Sequence, residues 1–534
     1  MPQLHEILDP AIDVAFSIPG SAFFDNDNDI DESQQHSYRI PRDLHHCNYA
    51  FEPLSIPTTY KPPRHDTLPF DVKEIILNLI DSPRDFASLA LTSRDWASTI
   101  IPDYLYRELS IPINHSTIWK VFAERPHLAK CTHTLRLLEP ARNKSGAPLE
   151  VSGPSEDTLR NMSLALEGFT SLRKFCWAGS RSTLQIDQSF LQALARCPAL
   201  EELDLGPVSL QSDHQLPSLS SLWRFPCLTK LILKGDWDLT GVDFLYLSLI
   251  NNSPNLEELS ILFGPASSHF TSCPLPKLRK LHLWHDSLYI QFPESELYPF
   301  DVQILNFLRN HPNIEDLRWL TWSWNRLTFP SGFLPSLKRL RAYGHLYRSL
   351  LQDPTLIDTR KWECISRATL TADMPILEQL DLSCLKEMRL LNFEGFDSLK
   401  QLAEIAPSIT TLAIPSFGPP MNINCGTHST PPGRIPSMVE LDLENYIDCL
   451  AHFPSLETLL DTRLWSAILR LSTEERSEAV TQLTSRCRSL SRLNYWDRLR
   501  HAEMDIIFSK CEDGRVSWRE EPSQEENWER FGGL

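Results

Sequence analysis

The sequence FPCLTKLILKG, residues 225–235, places one proline ahead of apolar residues in the order Pro-x-Leu-x-x-Leu-x-Leu. The stretches CPALEELDLG (197–206) and SPNLEELSILFG (253–264) follow the same order, with isoleucine as the last apolar residue of the second. Their prolines are 28 residues apart, and Thr170 occupies the same position 28 residues before the first of them. Recurrence at a fixed interval indicates a repeat architecture, in which each copy is one supersecondary unit.

Further copies of the motif extend along most of the chain, at intervals that vary as the connecting loops change in length. Clear copies are FTSLRKFCWAG (169–179), LPKLRKLHLWH (275–285), HPNIEDLRWL (311–320), LPSLKRLRAYG (334–344), MPILEQLDLSC (374–384), APSITTLAIPS (406–416) and IPSMVELDLEN (435–445). Weaker copies are THTLRLLEP (132–140), FPSLETLLDTR (453–463) and CRSLSRLNYWD (487–497). The interval of 28 residues is typical of leucine-rich repeats, in which a short strand carries the motif.

Short amphipathic helices are predicted immediately before several of the prolines. They are SFLQALARC (189–197), VDFLYLSLINN (242–252), DVQILNFLRN (301–310) and SLKQLAEIA (398–406). Because one unit cannot bury its leucines alone, the copies are expected to stack and to share one continuous core. The predicted fold class is therefore α/β, with an irregular leucine-rich-repeat solenoid over residues 111–511 that has a concave parallel sheet and outer helices.

The residues between the motif leucines are predicted to form the binding surface, because side chains alternate across a strand. Near the middle of the array this surface combines basic and aromatic residues, namely Lys280, His282, Trp284, Arg318, Arg339, Arg341 and Tyr343. We expect this set to bind an acidic or phosphorylated segment of a protein substrate, since such residues are common in interface hot spots. An acidic stretch is expected further along, at Asp381, Glu440 and Asp442. The alternative is an ordinary solvated surface without a ligand.

The bulk composition limits the class of partner. The chain of 534 residues has a formal net charge of −18, which disfavours binding to nucleic acid or to an anionic membrane. It contains no apolar run of about 18 residues, and its N-terminus lacks the basic and unbroken apolar regions of a signal peptide. Its 12 cysteines include no Cys-x-x-Cys pair, so reduced thiols in the cytoplasm or nucleus are expected.

The sequence signatures of common enzyme classes do not occur in this chain. It has no phosphate-binding loop, no dinucleotide-binding glycine motif, no nucleophile elbow and no His-Glu-x-x-His motif. Carboxylate pairs such as Glu201 and Glu202 recur at strand positions, which is typical of a solvated face. The chain is therefore predicted to bind other proteins, without catalytic residues, a cofactor or a metal.

A different pattern precedes the repeats. The stretch LPFDVKEIILNLI, residues 68–80, predicts an amphipathic helix. Its expected apolar face consists of Val72, Ile75, Ile76, Leu79 and Ile80. The sequence DSPRD (81–85) predicts a turn, and FASLALTSRDWASTII (86–101) predicts further helix that ends at Pro102. Helices this short form too small a core to be robust alone.

Residues 67–110 resemble an F-box. That motif begins with Leu-Pro, continues with an amphipathic helix and a turn, and has a second helix ending in Ser-x-x-Trp. The matching residues are Leu68, Pro69, Val72, Ile76, Ile80, Asp85, Leu89, Leu91, Ser93 and Trp96. The departures are one extra residue in the turn, Asp71 where Glu is usual, Phe86 where Leu is usual, and Thr92 where Val is usual.

An F-box followed by leucine-rich repeats is a common architecture, and the chain is similar in particular to F-box proteins of fungi with irregular repeats. The resemblance implies a substrate-recognition subunit of an SCF-type cullin-RING ubiquitin ligase, with ubiquitin transfer performed by other subunits. In this arrangement the F-box binds a Skp-type adaptor and the repeats hold a protein substrate. The adaptor contacts implied are Leu68, Pro69, Val72, Ile76, Ile80, Leu89 and Trp96. Of these, we expect Leu68, Pro69 and Ile76 to be exposed.

A second interpretation of the helices remains open. Residues 67–101 could instead cap the first repeat, as solenoids require, and the chain would then be an interaction scaffold that does not engage a ubiquitin ligase.

The two ends of the chain are predicted to differ from the repeats. Residues 1–66 include the acidic stretch 24–37 and the proline-rich stretch 57–66, and are expected to be poorly ordered. Residues 512–534 contain seven acidic and three basic residues. We interpret them as a terminal strand at RVSW followed by an acidic tail.

Overall fold

The computed structural model gives the fold of most of the repeat region and of the helices before it. The residues it describes are 68–80, 83–138, 155–177, 184–186, 188–206, 208–210, 224–233, 242–263, 266–285, 294–319, 329–342, 350, 361–392, 395–414, 442–497, 502–510 and 516–522. The predictions for residues 1–66 and for the acidic tail beyond residue 522 lie outside this set.

Contacts within the chain divide it into two compact units. The first unit comprises Met1–Ser182 and Ile186–Leu200, and the second comprises Thr183–Gln185 and Glu201–Leu534.

The first unit opens with three short helices. They are α1 (Phe70–Leu77), α2 (Pro83–Ala90) and α3 (Arg94–Ile100), and a π-helical turn at Ile101–Leu105 follows. The helix predicted over residues 86–101 is interrupted, because Ser93 starts a new helix by accepting a hydrogen bond from the Trp96 amide at 3.1 Å. Pro102 does not end the helical segment as predicted. It lies at the start of the π-helical turn, where its missing N–H costs little.

The rest of the first unit alternates strands and helices. In chain order these are β1 (Glu108–Pro112), α4 (Ser116–Glu124), α5 (Pro126–Ala129), β2 (Thr134–Leu138), α6 (Glu156–Gly168), β3 (Lys174–Trp177) and α7 (Gln188–Ala195). Strands β1, β2 and β3 pair in parallel and in chain order. Strand β1 was not predicted, and it begins three residues before the expected start of the repeats at residue 111.

The second unit contains a sheet whose neighbouring strands follow one another along the chain. Its strands are β5 (Glu202–Leu205), β7 (Lys230–Leu233), β8 (Glu258–Phe263), β9 (Lys280–His285), β10 (Asp316–Trp319), β11 (Arg339–Ala342), β12 (Cys364–Thr369), β13 (Glu387–Asn392), β14 (Thr411–Ala413), β15 (Thr458–Leu460), β16 (Arg492–Asp497), β17 (Ala502–Lys510) and β18 (Val516–Pro522). The pairing is parallel from β5 to β16. It is antiparallel for β17 and β18. A separate two-stranded sheet joins β4 (Leu184–Ile186) to β6 (Val208–Leu210).

Helices connect many of these strands. They are α8 (Val242–Asn251), α9 (Glu294–Arg309), α10 (Leu370–Leu377), α11 (Phe396–Ile405), α12 (Leu443–Leu450), α13 (Thr462–Ile468) and α14 (Thr473–Arg486), with a 3-10 segment at Ala266–Ser272. Successive helices contact one another, as α10 does α11 and α11 does α12. Parallel strands in chain order, joined through helices that pack on their neighbours, confirm the α/β class.

The core lies between the strands and these helices. Along β5, β7 and β11 buried and half-buried residues alternate, and the motif residues Leu203, Leu231 and Leu340 are fully buried. The predicted inward orientation of the motif leucines is therefore confirmed in these strands.

Two predicted copies of the motif do not form strands of the sheet. In the first, residues 374–384, Pro375 lies inside α10 and the strand comes later, at β13. In the second, residues 435–445, the described part forms the cap and first turn of α12, and β14 pairs directly with β15. Strand β12, in contrast, was not predicted.

Candidate functional site

The three N-terminal helices form a small cluster with its own core. We call residues 68–80 and 83–105 the helical cluster. Its buried apolar residues are Leu77, Ala90, Trp96, Ala97 and Ile100. Helices α2 and α3 pack on each other and on the π-helical turn, where the rings of Phe86 and Tyr104 are 5.7 Å apart.

Lys73 faces this core, which changes the predicted apolar face of α1. The side chain is almost fully buried, forms an ion pair with Asp95 and has its ammonium 5.5 Å from the centre of the Trp96 ring. Its aliphatic stem can pack because Asp95 and the ring interact with the charge. Helix α1 ends at Leu77, so residues after it no longer follow the helical period.

Four large apolar side chains of the helical cluster are exposed to solvent. They are Phe70, Ile75, Leu79 and Leu91. Ile75 and Leu79 are 63% and 78% exposed, although both were predicted on the apolar face of α1. Exposed large apolar residues gathered on one small cluster are typical of a surface that binds another protein.

The residues implied as adaptor contacts differ in how far they are buried. Pro69 is exposed, and Trp96 lies inside the core of the helical cluster. The remaining contacts are half-buried, namely Leu68, Val72, Ile76, Ile80 and Leu89. Of these, all but Val72 pack partly against the cluster core. The expectation that Leu68 and Ile76 are exposed is therefore wrong, and the one for Pro69 is confirmed.

A second candidate site lies on strands β10–β13. Strand register places eight residues there in two adjacent rows, which we call the charged grid. The first row is Asp316, Arg339, Cys364 and Glu387. The second row is Arg318, Arg341, Ser366 and Arg389. Residues in register on parallel strands have their side chains on the same face of the sheet, so the eight side chains are neighbours.

The carboxylates of the first row and guanidinium groups of both rows form a network. Arg339 donates a hydrogen bond to Glu387 at 2.7 Å and lies 3.3 Å from Asp316. Arg389 donates to Glu387 at 2.6 Å, and Arg341 does so at 3.3 Å. One carboxylate therefore accepts hydrogen bonds from three arginines, an arrangement in which charge-assisted bonds are strong.

The pKa values of the grid follow from burial and from these charges. Burial alone would raise the pKa of Glu387, but Arg341 and the other arginines outweigh it and lower that pKa to about 2. Burial also acts to raise the pKa of Asp316, and the neighbouring His282 and arginines lower it below its ordinary value. Burial raises the pKa of the Cys364 thiol to about 12. At neutral pH both carboxylates are ionised and the thiol is neutral.

The predicted substrate-binding residues are only partly exposed. Lys280 is exposed and pairs with Glu258, which also lies 3.6 Å from Lys230. His282 is half-buried, 3.2 Å from Asp316.

Arg318 corrects the expectation of an exposed surface, because it is only 2% exposed. Arg339 and Arg341 are half-buried within the grid. The side chain of Trp284 and all of Tyr343 lie outside the described residues, so the structure places four basic residues and one histidine of the predicted set near one another.

The predicted acidic stretch is not part of the strand surface among the described residues. Asp381 lies in the turn before β13, and Asp442 caps α12 by accepting a hydrogen bond from the Asn445 amide at 3.1 Å. Glu440 lies outside the described residues.

Five residues of the grid were not predicted, namely Asp316, Cys364, Ser366, Glu387 and Arg389. A signal for two of them was present in the spacing of Leu385, Met388 and Leu390, which matches the motif without its proline. Ser366 lies on the unpredicted strand β12, which carries no clear motif.

The described part of the chain contains neither a metal-binding cluster nor a membrane-spanning helix. No group of three His, Cys, Asp or Glu residues there could hold a metal ion. None of the described helices has the length and apolar character needed to cross a membrane. Comparison with protein-family models and with curated proteins finds no match to this chain.

Proposed function

We propose that this chain is a substrate-recognition subunit of an SCF-type cullin-RING ubiquitin ligase. The helical cluster binds a Skp-type adaptor, the strand surface around β9–β11 binds a protein substrate, and other subunits transfer ubiquitin. The single observation that carries the proposal is the exposure of Phe70, Ile75, Leu79 and Leu91 on a cluster that resembles an F-box in sequence.

These side chains support binding to a second protein for an energetic reason. Burying a large aliphatic or aromatic side chain yields about 1.5–3 kcal/mol, so four of them provide a substantial part of a protein interface. The core of the cluster is already filled by Trp96, Leu77 and Ile100. A partner that covers Ile75 and Leu79 therefore buries apolar side chains that this chain leaves exposed.

The contact set proposed from the structure differs from the one implied by the F-box resemblance. Pro69 is retained, and the exposed residues Phe70, Ile75, Leu79 and Leu91 are added. Trp96 acts from inside the cluster, where it holds α1 and α3 together through Lys73.

Co-purification with a Skp-type adaptor tests this proposal. The informative variant is Ile75→Lys with Leu79→Lys, because both side chains are exposed and their replacement removes no internal packing. A matched control is Leu164→Lys on α6, which removes an exposed leucine that is 49% accessible outside the helical cluster. We expect the double variant to lose adaptor binding at least tenfold and the control to bind like the wild type.

Two results would contradict the proposal. If the wild-type chain does not retain the adaptor, the ligase role loses its support and the scaffold interpretation is favoured. If the double variant binds as well as the wild type, the exposed apolar surface is not the contact.

A further inference from the structure

The charged grid carries more positive than negative charge. Its four arginines contribute +4 and its two ionised carboxylates contribute −2, which gives +2 for the eight residues. The neutral Cys364 thiol does not change this sum. A concentration of like charge in a partly buried site is unfavourable, and an anion bound there would relieve it.

Ser366 is a second and independent sign of a ligand. It is 1% exposed, lies between Arg341 and Arg389 in the second row, and its hydroxyl forms no hydrogen bond within the described residues. A buried hydroxyl without a partner costs free energy, which a ligand oxygen would recover. The pairing of β12 with β13 also shifts register directly after Ser366, and such bulges often re-aim a side chain beside a functional site.

The second row has the dimensions of a small oxyanion site. Neighbouring strands are about 4.8 Å apart, so Arg341 and Arg389, two strands apart, have their backbones about 10 Å from each other with Ser366 between them. Long arginine side chains converge easily over that distance. Arg341 and Arg389 keep part of their side chains exposed, so an anion can reach them from solvent.

We propose that Arg318, Arg341, Ser366 and Arg389 bind a phosphate group. Guanidinium groups match phosphate oxygens with paired N–H donors, and the serine hydroxyl donates a further hydrogen bond. The charge selects phosphate over carboxylate, because a phosphate ester carries about −1.5 to −2 at neutral pH and a carboxylate only −1. That a protein segment carries the phosphate rests on the substrate-binding role proposed above, whereas the phosphate site itself does not.

Binding of inorganic phosphate to the full chain provides the first test. Calorimetry and thermal unfolding would compare phosphate with acetate and chloride at equal ionic strength. We expect phosphate to bind and to raise the melting temperature, and acetate and chloride to do neither.

Three variants locate the site. Ser366→Ala removes a hydroxyl without a partner, so the chain without phosphate should fold at least as stably while phosphate binds about tenfold more weakly. Arg389→Lys keeps the charge but removes the paired donors, and should weaken binding by a similar factor. The control Lys120→Gln, at an exposed residue on α4 of the first unit, should bind phosphate like the wild type.

The carrier of the phosphate is tested with a phosphoserine peptide and its unphosphorylated counterpart. Tenfold tighter binding of the phosphopeptide than of inorganic phosphate supports a protein segment, and weaker binding overturns that part of the proposal. The site itself is overturned if phosphate does not bind, if acetate binds equally well, or if Ser366→Ala and Arg389→Lys both bind phosphate like the wild type. None of these measurements requires the adaptor, so the phosphate site and the ligase role can fail separately.

Discussion

Glu387 holds the charged grid together through three arginines, two on β11 and one on its own strand β13. Removing one partner from such a network leaves buried charges uncompensated, which is costlier than losing an exposed ion pair. The protonation of this carboxylate should therefore govern the stability of the second unit in acid.

We predict that Glu387→Gln destabilises the chain at neutral pH and that the difference from wild type vanishes in acid. Folding lowers the pKa of Glu387 from 4.5 to about 2, so its ionised form stabilises the fold above about pH 4.5. This contribution is lost as the pH falls toward 2, and its full size is on the order of 3 kcal/mol. Urea denaturation at several pH values between about 7 and 2 measures it.

Glu315→Gln is the matched control for this titration. Glu315 also has a lowered pKa because Arg279 donates a hydrogen bond to it, but it lies closer to solvent. We expect a much smaller change, since exposed pairs contribute about 0–1 kcal/mol. Curves of stability against pH that run parallel for wild type and Glu387→Gln would refute the role given to Glu387.

At the scale of single elements, α1 is held to α3 by the ion pair between the buried Lys73 and the half-buried Asp95. We predict that Asp95→Asn destabilises the helical cluster more than Lys73→Met does, by about 2 kcal/mol. The first change leaves a buried ammonium without its carboxylate, whereas the second replaces the stem with an apolar side chain of similar length. Amide hydrogen exchange in α1 and α3 measures the difference directly.

The relative destabilisation by Asp95→Asn and Lys73→Met shows whether the ion pair or the packing of the lysine stem supplies the stability. If Lys73→Met opens the helices as much as Asp95→Asn does, the stabilisation comes from the ion pair itself and the packing of the stem contributes little. A third variant, Ser98→Ala on the exposed side of α3, should leave exchange in both helices unchanged.

Most strands could be predicted from the spacing of proline and leucine, and the failures have a physical cause. Proline marks the turn before a strand only where the chain leaves a helix, and the motif proline Pro375 lies inside α10 instead. Where proline lies within a helix, the apolar residues that follow it at the motif spacing belong to that helix and its turn and do not form a strand. The strand β13 then begins at Glu387 and carries a copy of the motif that has no proline.

The candidate sites were less predictable than the strands because they depend on which residues become neighbours. Sequence spacing predicted that Arg318 and Arg341 lie between motif leucines. It did not predict that Arg341 pairs with Glu387, because Glu387 comes from a strand that the proline spacing does not mark. The burial of Arg318 has the same origin, since it depends on side chains from adjacent strands. In the helical cluster, Lys73 faces the core and α1 ends at Leu77, and these two features leave Ile75 and Leu79 exposed.

At the scale of the whole second unit, parallel pairing in chain order means that each strand contacts mainly its two neighbours. Stability in such arrays is a sum of local contributions, and a defect should spread only a short distance. We predict that Leu281→Ala on β9 costs about 2–5 kcal/mol, because Leu281 is fully buried and its loss leaves a cavity. Amide hydrogen exchange should increase in β8, β9 and β10 and remain near wild type in β15 and β16.

Leu493→Ala on β16 provides the reciprocal test, since Leu493 is equally buried near the other end of the same sheet. Its effect on hydrogen exchange should be concentrated in β15, β16 and β17 and leave β8 to β10 protected. A uniform increase across the unit for either variant would show that the sheet unfolds as a single cooperative body. The strands of the charged grid, β10 to β13, lie outside the segment that Leu493→Ala affects, so this variant should bind phosphate like the wild type.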